Sequence, residues 1–294
     1  MKTTIRIAIA AIALFAAISC TPNSKGAYKH VIILGVDGAG AWFSESVTPN
    51  TWEMFSEGAY SSTTKTSFPT ISAECWGSML LGVLPELHQL TNGIVSSTPY
   101  DVESQYPSIL RVAKEADPDA KLASFCHWNP INIGIVESDL GVVEGTGSDP
   151  EVAAQVIEYL NANDPTVLFV QFDSVDGAGH RNGYGTEGHL QALTAVDEFL
   201  GQIYAKLEEK GILDETLLIV AADHGGTPEG GHGGDTLAER MVFMGVHGKT
   251  VAKGSQIVDA EIQDIPMISA YALGLEAPAT WTGKIPSGIF PDVK

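Results

Sequence analysis

Asp37 in VIILGVDGAG, Asp176 and His180 in FVQFDSVDGAGH, Asp223 and His224 in LLIVAADHGG, and His232 in GGHGG are carboxylates and imidazoles close behind apolar runs, cushioned by glycine. Such a donor set suits a hard-to-borderline divalent cation such as zinc. A hydroxyl-bearing segment, PTISAECWGS, lies among them and offers a nucleophile. A hydroxyl attacks poorly at neutral pH unless a base or a metal lowers its pKa. Together these residues point to metal-assisted hydrolysis rather than to a binding module.

Each motif also has an ordinary reading. Asp37-Gly38 after a strand is usually a turn, and GVDGAG lacks the GxGxxG spacing of a dinucleotide loop. Asp176 and His180 stand four residues apart in what reads as a glycine-rich loop, with Asp173 as a cap or a partner for a ligand. Adjacent side chains diverge at a strand end, so Asp223 and His224 can serve two neighbouring metals, or one metal and its surroundings. Ser72 reads as a helix N-cap, with Glu74 in the first turn. At a helix start it would also meet backbone N–H groups that favour a phosphate.

The elements that position these residues follow a β/α alternation, which predicts an α/β fold with a largely parallel central sheet and helices on both faces. Buried strands are expected at 31–36, 121–125, 167–172, 217–222 and 241–246, each a short apolar run. Helices are expected at 72–81, from an Asp149 N-cap to about Leu160, from about Leu190 to Gly211, and at 265–273. In open parallel sheets ligands bind beyond the carboxyl ends of the strands. Asp37, Asp176 and Asp223 are therefore expected at one edge.

These residues resemble the alkaline phosphatase superfamily, specifically its nucleotide pyrophosphatase/phosphodiesterase branch. The resemblance covers nearly all of residues 29–294, including the closing QDIPMISAYALGLEAPATWTGK. Ser72 stands at the branch's nucleophile distance from Gly82 and from Pro85-Glu86-Leu87-His88, whereas Thr66 and Thr70 do not. The resemblance implies two zinc sites. Asp176, His180 and His232 would hold one; Asp37, Asp223 and His224 would hold the other, with Ser72 bound to it and phosphorylated during turnover. It also places Cys75 where an asparagine contacting a phosphoryl oxygen is expected, and Glu74 where proline is expected. Cys75 is thus a substrate-side candidate, and Trp76 is another as a ring that could stack on a base or sugar, with core packing as its ordinary reading. The sulfatase CxPSR signature is absent, as is the large inserted domain of cofactor-independent phosphoglycerate mutase.

Composition sets outer limits. Lys+Arg 16 against Asp+Glu 36 gives a formal net charge of -20, which repels polyanions and argues against a nucleic-acid-binding surface. The expected partner is a small phosphoester substrate, and the composition leaves the oligomeric state open. Residues 1–20 read as a signal peptide: Lys2 and Arg6 precede the apolar run 7–18, which is shorter than a typical membrane span. The ending Ala17-Ile18-Ser19-Cys20 resembles a bacterial lipobox with Cys20 as the lipidated residue, implying an exported periplasmic or cell-surface lipoprotein. Residues 21–28 read as a tether and 29–294 as one catalytic domain. Cys75 and Cys126 read as isolated buried thiols or as a pair. A diester or pyrophosphate bond is the expected target, since no Lys/Arg clamp for a doubly charged monoester stands out. The alternatives are a phosphate monoesterase and a non-catalytic ligand-binding lipoprotein of the same fold.

Overall fold

The computed structural model describes residues 26–293. Cys20, the expected signal peptide and most of the expected tether lie outside the described residues.

The strands are β1 His30–Val36, β2 Ala59–Lys65, β3 Leu122–Cys126, β4 Val143–Thr146, β5 Val167–Phe172, β6 Thr216–Ala222, β7 Met241–His247 and β8 Ser255–Gln256. They form one sheet in the order β4-β3-β5-β1-β6-β7-β2-β8. Every neighbouring pair is parallel except β6–β7 and β2–β7, so β7 alone runs against the others. The helices are α1 Pro49–Ser56, α2 Ser72–Leu81, α3 Pro85–His88, α4 Asn92–Val95, α5 Ile109–Ala116, α6 Pro130–Gly134, α7 Asp149–Ala162, α8 Ser174–Asn182, α9 Glu187–Lys210, α10 Leu237–Arg240 and α11 Ile265–Leu273.

The largely parallel α/β reading holds, because β1, β5 and β6 are buried along their whole length and read as continuous apolar runs. Helices α2 and α11 have the expected bounds, each closed by a glycine in the left-handed conformation, Gly82 (φ 66°) and Gly274 (φ 69°). β2, β4 and β8 were not expected: AYSSTTK is rich in small hydroxyl residues, VEGT is mostly exposed, and β8 is two residues long.

Three local expectations are corrected. The cap of α7 is Ser148, whose backbone N–H donates to Glu151 Oε2 (2.8 Å), so Asp149 is the first helical residue. Asp176 to His180 lie on α8 rather than in a loop. Despite its glycines, that segment is helical because packing outweighs propensity: a Cβ at Gly179 would meet the Tyr184 ring at 2.4 Å, so glycine there lets the chain fold back closely. Ser72 opens α2 behind an Ile71 cap rather than capping it.

The Pro-Glu-Leu-His element braces α2. His88 is buried; its Nδ1 accepts from Leu90 N (3.0 Å) and its Nε2 lies 3.2 Å from Glu74 O. Burial lowers its pKa to about 4. The unfolded chain therefore binds a proton between about pH 6.5 and 4 that the folded chain refuses, so stability falls as pH falls through that window. In chelator, so that metals contribute nothing, His88→Gln should flatten this slope by about 3 kcal/mol over the window. Denaturant unfolding at stepped pH measures it, and an unchanged slope would rule out His88 as the titrating group.

Candidate active site

Parallel pairing brings the acids together. Val36 is in register with Phe172 of β5 and Ala222 of β6, so the next residues, Asp37, Asp173 and Asp223, leave the sheet side by side at its carboxyl edge. Asp173 sits at the strand end, and one helical turn later α8 presents Asp176 and then His180. His224 follows β6, and His232 arrives from the glycine-rich segment after it. The ligand candidates fall into two groups, Asp37/Asp223/His224 and Asp176/His180/His232, with the donor atoms of each group within 4.8 Å of one another.

The inner group, Asp37/Asp223/His224, is fully buried. His224 Nδ1–H donates to Gly225 O (2.9 Å), which leaves Nε2 as a bare acceptor. That Nε2 lies 3.5 Å from Asp37 Oδ1, 3.4 Å from Asp223 Oδ2 and 3.4 Å from Ser72 Oγ. Asp37 Oδ2 accepts from Trp76 Nε1 (2.8 Å) and Gln171 Nε2 (3.0 Å). Asp223 Oδ1 accepts from the backbone N–H groups of Gly38 (3.0 Å) and His224 (2.8 Å). Asp37 Oδ1 and Asp223 Oδ2 are buried with no hydrogen-bond partner. Burial, reinforced by neighbouring carboxylates, pushes both pKa values well up, and burial lowers that of His224. Unpartnered buried oxygens are costly, and a divalent cation among them reverses the penalty. The residues therefore fit a metal.

The outer group is more open. His180 and His232 hold their Nδ1–H on Gly230 O (2.8 Å) and Thr70 O (2.7 Å), and their Nε2 atoms face each other at 3.2 Å. Two bare imidazole nitrogens at that distance have no hydrogen to share, an arrangement that a cation resolves. Asp176 Oδ1 accepts from Tyr184 Oη (2.5 Å), while Oδ2 lies 3.2 Å from His180 Nε2. Burial and the Asp176 charge keep the Tyr184 phenol protonated, so it remains a donor.

Ser72 Oγ reaches His224 of the inner group, whose ring stacks on that of His232 from the outer group at 4.0 Å between centroids, and its two rivals are already engaged. Thr66 Oγ1 donates to Asp223 O, and Thr70 Oγ1 donates to Gly234 O (2.8 Å). Cys75 and Trp76 are corrected as substrate-side residues, since both are fully buried. The Cys75 thiol faces the carbonyls of Ser67 (3.9 Å) and Pro69 (3.8 Å), and burial raises its pKa. Trp76 orients Asp37 instead. Cys75 and Cys126 are free, and burial pushes the Cys126 thiol up to about 12.

Several working residues escaped the sequence reading. Asn92 Oδ1 accepts from Ala73 N (3.0 Å), which leaves its amide NH2 as a donor beside Ser72. Asp149 is a clamp, accepting from Asp173 N (2.9 Å) and Ser174 N (3.1 Å) and pairing with His127 Nδ1 (2.6 Å), so it fixes the start of α8. His189 Nε2 donates to Gly38 O (3.0 Å). Gly38 itself is required: its φ is 66°, and a Cβ would strike the Asp176 side chain at 2.7 Å. Of these, only the Asp-Gly pair carried a local signal.

Comparison with known proteins agrees with this geometry. A 129-residue stretch is 32% identical to the catalytic subunit of GPI ethanolamine phosphate transferase 3 from Mus musculus, covering 42% of this chain and 11% of that protein. Ectonucleotide pyrophosphatase/phosphodiesterase family member 3 from Rattus norvegicus is 22% identical over 219 residues, 66% of this chain and 24% of the relative. The chain thus spans between a tenth and a quarter of the length of these curated relatives. Among solved structures, murine ectonucleotide pyrophosphatase/phosphodiesterase 5, an inactive variant in complex with AMP, shares the fold at a TM-score of 0.69 and 15% identity, over 87% of this chain and 97% of that one. A 2-O GAG sulfatase shares it at a TM-score of 0.69 and 12% identity, over 87% of this chain and 73% of that one. Residues 31–119 and 137–268 match the family described as type I phosphodiesterase / nucleotide pyrophosphatase, more than half of the chain. With Asp37, Ser72, Asp176, His180, Asp223, His224 and His232 all lying within those matched residues, this chain belongs to the type I phosphodiesterase / nucleotide pyrophosphatase family.

Proposed function

We propose that the chain is a metal-dependent phosphoester hydrolase that cleaves a phosphodiester or pyrophosphate bond through a phosphoseryl intermediate on Ser72. The observation that carries this reading is the gathering of three bare imidazole nitrogens and two unpartnered carboxylate oxygens into two adjoining groups, with the Ser72 hydroxyl hydrogen-bonded to one of those nitrogens, His224 Nε2. Two zinc ions, one held by Asp37, Asp223 and His224 and the other by Asp176, His180 and His232, would supply Lewis acidity and lower the pKa of the serine hydroxyl.

The chain's own residues do the rest. Ser72 Oγ bonds to phosphorus as the bond to the leaving oxygen breaks, and water then cleaves the seryl ester. The Asn92 amide donates to a non-bridging phosphoryl oxygen, the role that the sequence assigned to position 75. Trp76, Gln171 and Tyr184 keep the carboxylates from turning away.

The surroundings favour a singly charged phosphodiester over a dianionic monoester. Asp173 stands unpaired by any Lys or Arg among the described residues, and it adjoins the two groups. Zinc-loaded protein should hydrolyse bis(p-nitrophenyl) phosphate faster than p-nitrophenyl phosphate, and the reverse order would make it a monoesterase. Export as a lipoprotein through Cys20 is part of the same proposal, read from residues 1–20 alone.

A further inference from the structure

Gln171 is the penultimate residue of β5 and is fully buried, and every polar atom of its side chain is engaged across three elements. Its Nε2 donates to Asp37 Oδ2 (3.0 Å) after β1 and to Asp173 Oδ1 (3.0 Å) before α8. Its Oε1 accepts from Trp128 N (2.8 Å) in the segment leading from β3 into α6, and its backbone carbonyl accepts from His127 N (3.1 Å). A buried amide is costly unless each hydrogen and lone pair is used. Here both hydrogens and one lone pair of the oxygen are used, and the NH2 end of the amide rests on a metal-ligand candidate.

We infer that Gln171 is a positioning residue that couples the inner metal group to the 127–134 segment at the rim of the site. Two consequences follow from the geometry. With Trp76 and Gln171 both donating to Asp37 Oδ2, only Oδ1 is free, so Asp37 binds a cation through one oxygen, facing His224. The same amide ties the segment leading into α6, through Trp128 N, and the start of α8, through Asp173, to the inner group. Both charges flanking Gln171 Nε2 are negative, so an amide suits the position where a carboxylate would add a third anion.

The inference rests on the two-metal reading, and the test separates the two. Metal-stripped protein is titrated with zinc by calorimetry, and the uptake step lost in His180→Ala identifies the outer group. In Gln171→Met, which removes donor and acceptor at similar volume, the inner step should weaken about tenfold or more while the outer step stays in place, and KM for bis(p-nitrophenyl) phosphate should rise. Gln171→Glu keeps an acceptor for Trp128 N but cannot donate to Asp37 when ionised. It should shift the inner step and also raise KM, because Asp173 loses the same donor and gains a neighbouring anion. Inner and outer steps moving together in both variants, no movement of the inner step, or a KM unchanged in both would overturn the role of Gln171. If Gln171→Met does not fold, the inner step and KM of Gln171→Glu decide alone. A wild-type chain that takes up no zinc would sink the two-metal reading itself, independently of Gln171.

Discussion

Ser72→Ala is expected to lower turnover of any phosphodiester by at least about a thousandfold while zinc uptake stays close to wild type. The hydroxyl is the one side-chain group at the junction of the two metal groups whose hydrogen bond runs to a ligand nitrogen, His224 Nε2 at 3.4 Å. On the proposed mechanism, removing it deletes the atom that bonds to phosphorus. It leaves Asp37, Asp223 and His224 with all their holding contacts, from Trp76, Gln171, the Gly38 and His224 backbone N–H groups and Gly225. A short truncation at the start of α2 also leaves the helix cap in place, because Ile71 and not Ser72 occupies the cap position. Initial rates and zinc content measured on one preparation provide the check. Near-normal turnover in the variant would move the nucleophile elsewhere, with Thr70 next in line, although its hydroxyl is already spent on Gly234 O.

The second large effect concerns the acids that would hold the inner cation. Asp223→Asn should abolish turnover by a similar factor, about a thousandfold, remove the inner zinc step, and yet raise the thermal midpoint of the metal-free protein. Asp223 and Asp37 are both fully buried, each has an unpartnered oxygen, and the Asp223 charge raises the cost of ionising Asp37. Without a cation this is a pair of like charges out of water, the arrangement whose removal commonly stabilises a fold. An asparagine keeps an oxygen for Gly38 N and His224 N and places an amide N–H where the unpartnered Oδ2 stood, facing the Asp37 side. In saturating zinc the order should reverse, because wild type gains the binding energy of two ions and the variant that of one. Thermal scans with chelator and with zinc give both signs. A metal-free variant less stable than metal-free wild type would show that the acids are not strained toward a cation.

Much of the site was legible before any coordinate. Asp37 and Asp223 directly follow runs that are apolar on both faces, the pattern of strands covered on both sides, and where such strands run parallel their carboxyl ends form the binding edge. The same reasoning placed α2 at Ser72, since an apolar stretch ending in glycine defines a buried helix. The direction of β7 was not legible, because Met241–His247 is as apolar as its neighbours and burial does not report orientation. α8 was misread because its glycines signal a loop locally, and only the packing against Tyr184 shows why a helix tolerates them.

The sequence by itself thus determined the chemical types of the ligands, the strands that end at them and the hydroxyl between them, because those follow from local periodicity and residue chemistry. Tertiary structure alone decided which groups hold them: Gln171 on Asp37 is 134 residues away, His189 on Gly38 is 151, and Asp149 lies 24 before the N–H of Asp173 that it accepts. It also decided that Cys75 and Trp76 face the core, and that Asn92 stands beside Ser72. A glutamine in a strand or an asparagine at a short helix looks the same in sequence whether it meets water or a carboxylate. What distinguishes them is burial, and burial is set by chain segments that share no local pattern.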